Sequence, residues 1–473
     1  MPILFYCFQK FPDAKFHIIC DYKHDVLEKY LSVFAREYDY CLIKTDQKGT
    51  CAGVQQAINS VGEKVPFLFI WSDLILSDSF LLPEISDGEN YVGISKDFEC
   101  RWSHDKDEFI EKPSKDDGVA GLFIFANSNI IDDVPQGGGF VEYLANKEIP
   151  FKRIDLHGTK EVGTILSYNE YNDNSNKCRP FNKMIFETDI VTKIPVTQQG
   201  IEIAKDEVAW YKKVSELNFT KVPHIYGFEP LKMNKIIGKN IFEYSDLSVK
   251  QKELILEKIV SAISELHNLV DPIKALPKDV LENYINKTFS RIQKVKNMIP
   301  FANNQYININ KKQCKNIFYF QDLLSIKIQD FIPEQFHLIH GDCTFSNLMF
   351  DSFKEEIVLI DPRGYFGETK YYGDKYYDWA KLYYSLIGNY DQFNRKNFTL
   401  NFDNHCVSIR IGSNNWEDME EYFFSLLPNL DRNKIKLIHA LIWLSLTTYA
   451  WEDYDSICGA FYNGVFYFSE VFE

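Results

Sequence analysis

Apolar and polar residues alternate in two different patterns along the first 170 residues of the chain. Short apolar runs typical of strands are separated by segments whose apolar residues recur at helical spacing. The strand-like runs are FHIIC (16–20), DYCLIKT (39–45) and PFLFIWSDLIL (66–76), and the helical segments are DVLEKYLSVFARE (25–37) and AGVQQAINSVG (52–62). Because strands that alternate with helices favour parallel pairing, residues 1–170 are predicted to form an α/β domain with a mixed, mostly parallel sheet.

A polar, Asn-rich segment, NEYNDNSNKCRP (169–180), ends this pattern and is the best candidate for an interdomain linker. We therefore predict a domain boundary near residues 170–178. Beyond it, NKMIFETDIVTKIPV (182–196) predicts a hairpin with its turn at ETD (187–189). Long amphipathic helices are then predicted at GIEIAKDEVAWYKKVSEL (200–217), VKQKELILEKIVSAISELHNL (249–269) and NKIKLIHALIWLSLTTYAW (433–451).

Composition narrows the class of protein. The chain has 473 residues, which favours two or more domains, and 45% of them are hydrophobic, enough for sizeable cores. A formal net charge of −15 without long Lys/Arg runs argues against nucleic acid as a partner. The ten cysteines are scattered without a C-x-x-C pair, the start lacks the features of a signal peptide, and no apolar run reaches about 18 residues. We therefore expect a cytoplasmic protein with reduced thiols and without membrane insertion.

The segments HGDCTFSN (340–347) and IDPRG (360–364) carry the strongest chemical signal in the chain. Phosphoryl transfer requires a carboxylate beside the acceptor hydroxyl, metal ions on the phosphates and a positioned cation. Asp342 is predicted to orient the acceptor hydroxyl and accept its proton. Asn347 and Asp361 offer oxygen ligands of the kind that Mg²⁺ prefers.

Two upstream residues supply the predicted cation and its partner. Lys193 lies in the predicted strand DIVTKIP (189–195), and Glu207 lies in the helix that follows. An ion pair between them would fix the direction of the lysine toward nucleotide phosphates.

Together these residues resemble the aminoglycoside phosphotransferase and choline kinase family, relatives of the protein kinases, over residues 178–473. The resemblance implies an α+β, two-lobed, protein-kinase-like domain with a small β-rich lobe at about 178–240 and a mostly helical large lobe at about 241–473. It also implies ATP and Mg²⁺ as cofactors and a hinge that binds adenine near Met233 to Gly238, within LKMNKIIGKN (231–240). His267 in ISELHNL (263–269) resembles a helix end of this family. A departure is the lack of a G-x-G-x-x-G loop before Lys193.

Each predicted role has a structural alternative. Asp342 could close a turn through a side-chain hydrogen bond, Lys193 could be a solvated strand lysine, and Glu207 could be a surface residue of its helix. His340 is predicted to be a hydrogen-bond donor that shapes the loop. Asp378 is predicted to be a helix N-cap in preference to an acceptor-binding residue, although Asp374, Asp378 and the nearby tyrosines could instead form a box for a quaternary ammonium group.

The N-terminal half carries a second resemblance. Its segments KGTCAG (48–53), FLFIWSDLIL (67–76), FIEKPS (109–114), GVAGLFIF (118–125) and EVGT (161–164) resemble, in order and spacing, the sugar-nucleotide pyrophosphorylases and cytidylyltransferases. The resemblance implies a nucleotide and metal site that binds CTP or another nucleoside triphosphate, formed by Gly49, Thr50, Asp73, Lys112 and Glu161.

Two departures from that family bear on activity. Glu161 replaces the closing Asp, and the Gly-rich segment with a basic tail that cradles the triphosphate is absent, which leaves the predicted domain incomplete. A chain that starts at Met1 is therefore expected to transfer nucleotides poorly. Three interpretations stay open: a shortened form of a nucleotidyltransferase, a degenerate domain that binds or scaffolds, and an unrelated α/β module.

The sequence therefore predicts a kinase that phosphorylates a hydroxyl of a sugar or amino alcohol. Its fusion to a nucleotidyltransferase-like domain suggests a role in making nucleotide-activated precursors of a surface polysaccharide. The alternatives are a choline or ethanolamine kinase with a cytidylyltransferase-like domain, and a protein in which one or both halves only bind nucleotides or act as scaffolds.

Overall fold

The computed structural model describes residues 1–61, 65–84, 88–174, 182–403 and 405–473. The chain forms two compact units, Met1–Lys177 and Cys178–Glu473. The described helices of the first unit are α1 (Ile3–Lys10), α2 (His24–Phe34), α3 (Val54–Ser60), α4 (Phe140–Ala145) and α5 (Ile165–Asn174). Its described strands are β1 (Lys15–Cys20), β2 (Asp39–Lys44), β3 (Phe67–Ile70), β4 (Leu74–Ile75), β5 (Tyr91–Ser95), β6 (Ser103–Asp105), β7 (Glu108–Ile110), β8 (Gly118–Phe125), β9 (Lys152–Asp155) and β10 (Lys160–Glu161).

The main sheet of the first unit is mixed, but the prediction that it is mostly parallel was wrong. Strand β8 pairs antiparallel with β3, β5 and β6, and only the β5–β9 pair of this sheet is parallel among the described strands. Strands β1 and β2 pair in parallel in a separate ladder, as their alternation with helix α2 predicted.

The antiparallel pairing of β8 with its neighbours has a local cause in the sequence between β5 and β8. Strands β6 and β7 form a tight hairpin whose turn residues, Lys106 and Asp107, have φ angles of 49° and 67°. Such left-handed backbone at two successive residues is typical of two-residue hairpin turns. The hairpin leads into β8, whose eight residues are all buried, so β8 occupies the centre of the sheet. Alternation of strands and helices could not reveal a hairpin this short.

The predicted strand 66–76 divides into β3 and β4. Trp71 lies at the break and donates its backbone N–H to Gly121 O at 3.0 Å. A Cβ on Gly121 would lie only 2.0 Å from the Trp71 ring, so the indole covers the glycine directly. Beyond this break β4 pairs with β10, which places Asp73 beside the closing segment 161–164.

The predicted linker begins inside helix α5 rather than after it. Residues 165–174 are helical, and the rest of the predicted linker, 175–180, lies outside the described residues.

The described helices of the second unit are α6 (Gln198–Glu216), α7 (Val249–His267), α8 (Pro277–Leu281), α9 (Lys287–Val295), α10 (Gln321–Asp330), α11 (Lys375–Leu386), α12 (Tyr390–Asn394), α13 (Glu420–Ser425), α14 (Arg432–Leu446) and α15 (Tyr454–Val471). Its described strands are β11 (Asn182–Phe186), β12 (Ile190–Pro195), β13 (Ile225–Phe228), β14 (Leu231–Asn234), β15 (Gly238–Asn240), β16 (Ile273–Lys274), β17 (Tyr306–Ile309), β18 (Lys312–Lys315), β19 (Gln335–Leu338), β20 (Leu348–Asp351), β21 (Glu356–Leu359), β22 (Tyr365–Phe366), β23 (Thr369–Lys370), β24 (Tyr372–Gly373), β25 (Phe398–Phe402) and β26 (Cys406–Ile411).

A four-stranded antiparallel sheet opens the second unit, in the order β11-β12-β14-β13. Strands β11 and β12 form the predicted hairpin around residues 187–189, and Glu187 closes it by donating its N–H to Ile190 O at 2.9 Å. Helix α6 follows, capped by Thr197, whose side chain accepts the Gly200 N–H. A small sheet with one long helix therefore precedes a mostly helical remainder, as predicted for an α+β unit.

The helical part of this unit is built around α11, α14 and α15. Most residues of these helices are buried, including Trp443 of α14 and Tyr462 of α15. Over the ranges that the structure describes, no helix combines the length and apolar character needed to cross a bilayer. Burial of these helices against one another provides a rigid base for the loops between β19 and α11.

Candidate active site

The loop between β19 and β20 contains the predicted catalytic segment. Asp378 of helix α11 holds this loop in place through hydrogen bonds to its backbone. The buried Asp378 carboxylate accepts the backbone N–H groups of His340 at 2.9 Å and Gly341 at 2.7 Å. Its Oδ2 atom also lies 3.0 Å from His267 Nε2, at the end of α7. Although burial opposes the charged carboxylate, the hydrogen bonds from the His267 side chain and from the His340 backbone N–H lower the pKa of Asp378.

This arrangement corrects the predicted role of Asp378. The residue that caps α11 is Asp374, whose side chain accepts the Tyr376 N–H, whereas Asp378 lies one turn inside the helix. Asp374 also pairs with Lys434 at 2.9 Å. Both carboxylates are thus occupied by protein groups, which argues against the aromatic and acidic box considered for a quaternary ammonium group.

His340 has the structural role that was predicted. Its Nε2 atom lies 2.9 Å from Ile360 O, and its Nδ1 atom accepts the backbone N–H of Asp342 at 3.2 Å. The neutral tautomer that carries its proton on Nε2 satisfies both contacts. Burial lowers the pKa of His340 against the opposing charge of Asp378, which favours this neutral form.

Asp342 is held on both carboxylate oxygens. Asn347 Nδ2 donates to Asp342 Oδ2 at 2.9 Å, and Lys381 Nζ lies 2.9 Å from Asp342 Oδ1. The same Asn347 amide also donates to the Asp342 carbonyl at 2.8 Å. These contacts fix the carboxylate plane, and with a side chain 22% exposed it remains accessible to a small molecule.

Lys193, Glu207 and Asp361 form a second connected group. Lys193 Nζ lies 2.9 and 2.8 Å from the two carboxylate oxygens of Glu207 and 2.9 Å from Asp361 Oδ1. Burial opposes the charge on Lys193, but Asp361 and Glu207 together raise its pKa. Burial, with the charge of Asp361, raises the pKa of Glu207 despite the opposing lysine. The lysine therefore stays charged while its direction is fixed by α6.

Backbone contacts join the two groups. Ile360, which precedes Asp361, donates its N–H to Asn347 O at 3.0 Å, and Arg363 donates its N–H to His340 O at 2.9 Å. Asp361 itself follows β21 with a φ of 53°, a left-handed conformation that is uncommon for residues other than glycine. The structure therefore brings Lys193, Glu207, Asp342, Asn347 and Asp361 into neighbouring positions of one unit.

The donor set of this site fits a hard divalent cation. The Asp361 side chain is 51% exposed and offers carboxylate oxygens next to Lys193. Since the Asn347 Nδ2 atom is engaged by Asp342, the carbonyl oxygen of the amide is the atom left to serve as a ligand. Oxygen ligands of these two types suit Mg²⁺.

Met233 lies within β14 rather than in the connection after it. Its backbone pairs with Val191 and Ile225, and its side chain is buried. The connection that follows, residues 235–237, leads to β15, which pairs with β20 at the end of the catalytic loop. An adenine-binding role for the segment from Met233 to Gly238 stays a prediction.

In the first unit, the structure brings two predicted acidic residues together. A Cβ built on Gly163 would lie 2.2 Å from Glu161 Oε1 and 2.7 Å from Asp73 Oδ2, so both carboxylates border the same glycine. Asp73 Oδ1 is buried and has no hydrogen-bond partner among the described residues. Burial raises the pKa of Asp73, and the charge of Glu161 raises it further. A cation would relieve both effects.

The other predicted residues of this unit have different surroundings. The Thr50 hydroxyl accepts the Phe140 N–H at 2.7 Å, at the start of helix α4. A Cβ on Gly49 would lie 2.3 Å from Gly138 O, so this glycine is required where segment 48–51 meets segment 137–139. Lys112 is exposed, and within the described part of the chain its side chain forms no ion pair with Asp73 or Glu161. Their roles in nucleotide binding stay predictions.

Lys381 is the functional candidate that the sequence analysis missed. It lies three residues after Asp378 on α11, so both side chains project from one face of the helix toward the catalytic loop. Helical spacing from Asp378 was the available signal, and it requires knowing where α11 lies relative to that loop.

Solved structures similar to the chain include proteins of two groups, whereas no protein-family profile and no curated protein sequence matches it. HddC from Yersinia pseudotuberculosis is 17% identical over 36% of this chain and 85% of its own, with a TM-score of 0.30, and matches the N-terminal part. The GDP complex of wild-type aminoglycoside 2'-phosphotransferase-IIIa is 14% identical over 64% of this chain and 96% of its own, with a TM-score of 0.38. Choline kinase LicA from Streptococcus pneumoniae is 13% identical over 62% and 92%, with a TM-score of 0.38. The chain is thus similar to aminoglycoside phosphotransferases and choline kinases, which confirms that predicted resemblance.

Proposed function

We propose that the second unit is an ATP- and Mg²⁺-dependent kinase that phosphorylates a hydroxyl group of a small molecule. The observation that carries the proposal is the pair of connected groups, Lys193 with Glu207 and Asp361, and Asp342 with Asn347 and Lys381. They supply the positioned cation, the metal ligands and the acceptor carboxylate that phosphoryl transfer requires.

In the proposed reaction, the acceptor hydroxyl oxygen forms a bond to the γ-phosphorus while the bond to the leaving ADP oxygen breaks. Asp342 orients the hydroxyl and takes its proton. Asn347 and Lys381 hold the Asp342 carboxylate in place through one oxygen each. Lys193 positions the phosphates, and its ion pair with Glu207 limits its motion. Bound Mg²⁺, held by Asn347 and Asp361, would neutralise phosphate charge.

The acceptor class follows in part from the sequence. Sugars carry a suitable hydroxyl, and so do amino alcohols such as choline and ethanolamine. We favour a sugar, and the fusion to the first unit supports a role in making nucleotide-activated precursors of a surface polysaccharide.

The kinase proposal is tested by following ADP formation from ATP and Mg²⁺ with a panel of sugars, sugar acids, sugar phosphates, choline and ethanolamine. Asp342→Asn is expected to lower turnover by about 10²–10⁴-fold while an imido analogue of ATP still binds. The matched control is Asp330→Asn, which changes an exposed aspartate of α10. Full activity of Asp342→Asn, or failure of the analogue to bind the wild-type chain, would contradict the proposal.

A second function is supported for the first unit by one observation, the unpartnered Asp73 Oδ1 beside Glu161. We infer that these carboxylates bind a divalent cation with a nucleoside triphosphate. The test measures binding of Mn²⁺, CTP, UTP and dTTP to the wild-type full chain and to the Asp73→Asn full chain. Binding by the second unit is the same in both proteins, so any difference comes from the first unit. Equal binding by both proteins would argue for a scaffold role instead.

A further inference from the structure

Three basic residues surround Tyr377 on helix α11, close to the candidate catalytic loop, and a fourth lies beside them. Lys287 Nζ lies 5.8 Å from the centre of the Tyr377 ring, Lys381 Nζ lies 5.9 Å from it, and Arg363 Cζ lies 6.0 Å from it. Arg363 also donates to the Tyr377 hydroxyl at 3.0 Å. Arg291 lies one helical turn after Lys287 on α9. We call Lys287, Arg291, Arg363 and Lys381 the basic cluster.

The cluster is poorly neutralised. Lys381 pairs with Asp342, but in the described part of the chain no carboxylate lies within ion-pair distance of the other three. Their polar contacts are neutral: Lys287 donates to Asn283 Oδ1, Arg291 to Ser445 O at 2.9 Å, and Arg363 to Tyr377. Two nearby carboxylates are already bound by other side chains, since Asp374 pairs with Lys434 and Asp378 contacts His267.

Gathering like charges in this way is unfavourable for the protein alone. Burial lowers the pKa of Lys287 well below its ordinary value, and the charges of Arg363, Arg291 and Lys381 lower it further. A half-buried cation without a counter-ion destabilises a fold, and a hydrophobic side chain of similar volume would usually be preferred. Groups of like charge that lower the stability of the fold are characteristic of binding sites.

The cluster is partly exposed and adjacent to the reacting groups. None of its four side chains belongs to a fully buried residue. Lys381 connects it directly to Asp342, and Arg363 is tied through its backbone to His340. Lys287 follows a π-helical segment, Glu282–Asn286, a type of local irregularity that is frequent at functional sites.

We propose that the basic cluster binds an anionic group, a phosphate monoester or a carboxylate, carried by the hydroxyl acceptor of the kinase. This inference rests on the proposed function and names its substrate class. Guanidinium groups bind both kinds of anion with paired hydrogen bonds, and a bound anion would supply the counter-charge that Lys287, Arg291 and Arg363 lack among the described residues. The same charges repel choline, ethanolamine and other cationic acceptors, so an acidic or phosphorylated sugar is the expected substrate.

The test begins with Lys287→Met, which removes one charge of the cluster and keeps an apolar chain of similar length. The matched control is Lys294→Met, at an exposed position of the same helix. Without ligand, Lys287→Met is expected to melt at a higher temperature than the wild-type chain. Phosphate at 50 mM, compared with chloride at equal ionic strength, is expected to raise the melting temperature of the wild type and Lys294→Met more than that of Lys287→Met.

Turnover supplies the second readout. Sugar phosphates and sugar acids are expected to be phosphorylated in preference to neutral sugars and choline, and Lys287→Met should raise KM for them at least tenfold with a smaller change in kcat. Arg291→Gln should act in the same direction. An equal phosphate effect in all three proteins, or preferential turnover of choline or neutral sugars, would overturn the inference.

The same samples separate this inference from the kinase proposal. Binding of the imido analogue of ATP reports on the nucleotide site, and the phosphate effect reports on the cluster. Loss of analogue binding with an intact phosphate effect would contradict the kinase proposal alone. Normal analogue binding with no phosphate effect would contradict the cluster proposal alone.

Discussion

Lys381 Nζ lies 2.9 Å from Asp342 Oδ1, and this contact links helix α11 to the centre of the candidate active site. Burial opposes the charge on Lys381, but the Asp342 carboxylate raises the pKa of the lysine. The lysine therefore stays protonated over the physiological range. The Asp342 carboxylate is therefore held by one cation, Lys381, as well as by the neutral amide of Asn347.

Replacing Lys381 with Met should lower kcat by about tenfold or more, because losing ~1.4 kcal/mol of positioning at the transition state corresponds to that factor. Lys381→Arg keeps a cation and should recover part of the loss. Steady-state kinetics of both variants provide the measurement, and unchanged kcat in Lys381→Met would show that the contact does not position Asp342.

Lys193 and Glu207 should be energetically coupled. Lys193→Met leaves Glu207 buried without its cation and should lower the free energy of unfolding by about 3–5 kcal/mol. Adding Glu207→Gln to this variant should recover part of the loss, which gives a coupling of about 1–3 kcal/mol in a double-mutant cycle. Chemical unfolding of the four proteins measures the coupling, and additive effects would be inconsistent with the ion pair.

Asp378 should support the catalytic loop rather than contact the acceptor. Asp378→Ala removes the acceptor of two backbone N–H groups and of His267, and each unsatisfied buried donor costs about 1–3 kcal/mol. We expect a loss of several kcal/mol in stability, measured by chemical unfolding. Asp330→Asn, at an exposed site, should change stability by less than about 0.5 kcal/mol. A variant as stable as the control would refute this role.

His439 should make the fold sensitive to acid. Burial lowers its pKa from 6.5 to about 3, and the nearby charge of Lys436 acts in the same direction. Below pH 6.5 the unfolded chain binds a proton that the folded chain does not, so stability falls as pH decreases toward 3. Between pH 6.5 and 5 the loss from this group is about 2 kcal/mol.

The measurement compares unfolding of the wild-type chain with His439→Gln at pH 6.5 and pH 5. Gln keeps an acceptor for Trp443 Nε1, which donates to His439 Nε2 at 2.9 Å, but it does not titrate. The stability of the variant should therefore depend less on pH. Identical pH dependence in both proteins would rule out His439 as the source.

Gly163 should control the acidic pair of the first unit. In Gly163→Ala the new Cβ would approach Glu161 Oε1 and Asp73 Oδ2 at 2.2 and 2.7 Å, so these side chains must move. Because the ends of flexible side chains can shift at low cost, the melting temperature should change little. Mn²⁺ binding by the first unit should weaken, and affinity equal to that of the wild type would contradict the proposed cation site.

Local patterns predicted the elements that surround the candidate active site. The hairpin β11–β12 has its turn at residues 187–189, and α6, α7 and α14 lie where apolar residues recur at helical spacing. These elements bury one face each, so their period is present in the sequence. Lys193, Glu207, Asp342, Asn347 and Asp361 lie as neighbours because short motifs fix their positions along these elements.

Features that depend on distant contacts were missed. Asp378 was predicted as an N-cap because it precedes an apolar helical run, but its partners are His340 and Gly341, nearly 40 residues away in the chain. The basic cluster likewise joins α9, the segment after β21 and α11. In the first unit, the short hairpin β6–β7 reversed the expected strand direction. Sequence periodicity contains no signal for such long-range pairings.

The left-handed backbone of Asp361 restricts which substitutions this position accepts during evolution or in the laboratory. Asparagine and glycine tolerate that conformation, whereas most other residues lose roughly 1–2 kcal/mol in it and β-branched residues fit it worst. Loss of the carboxylate in descendants of this chain should therefore occur mainly through Asn or Gly, which preserve the loop. Inactive relatives should consequently keep the same main-chain path and remain hard to distinguish from active ones by shape.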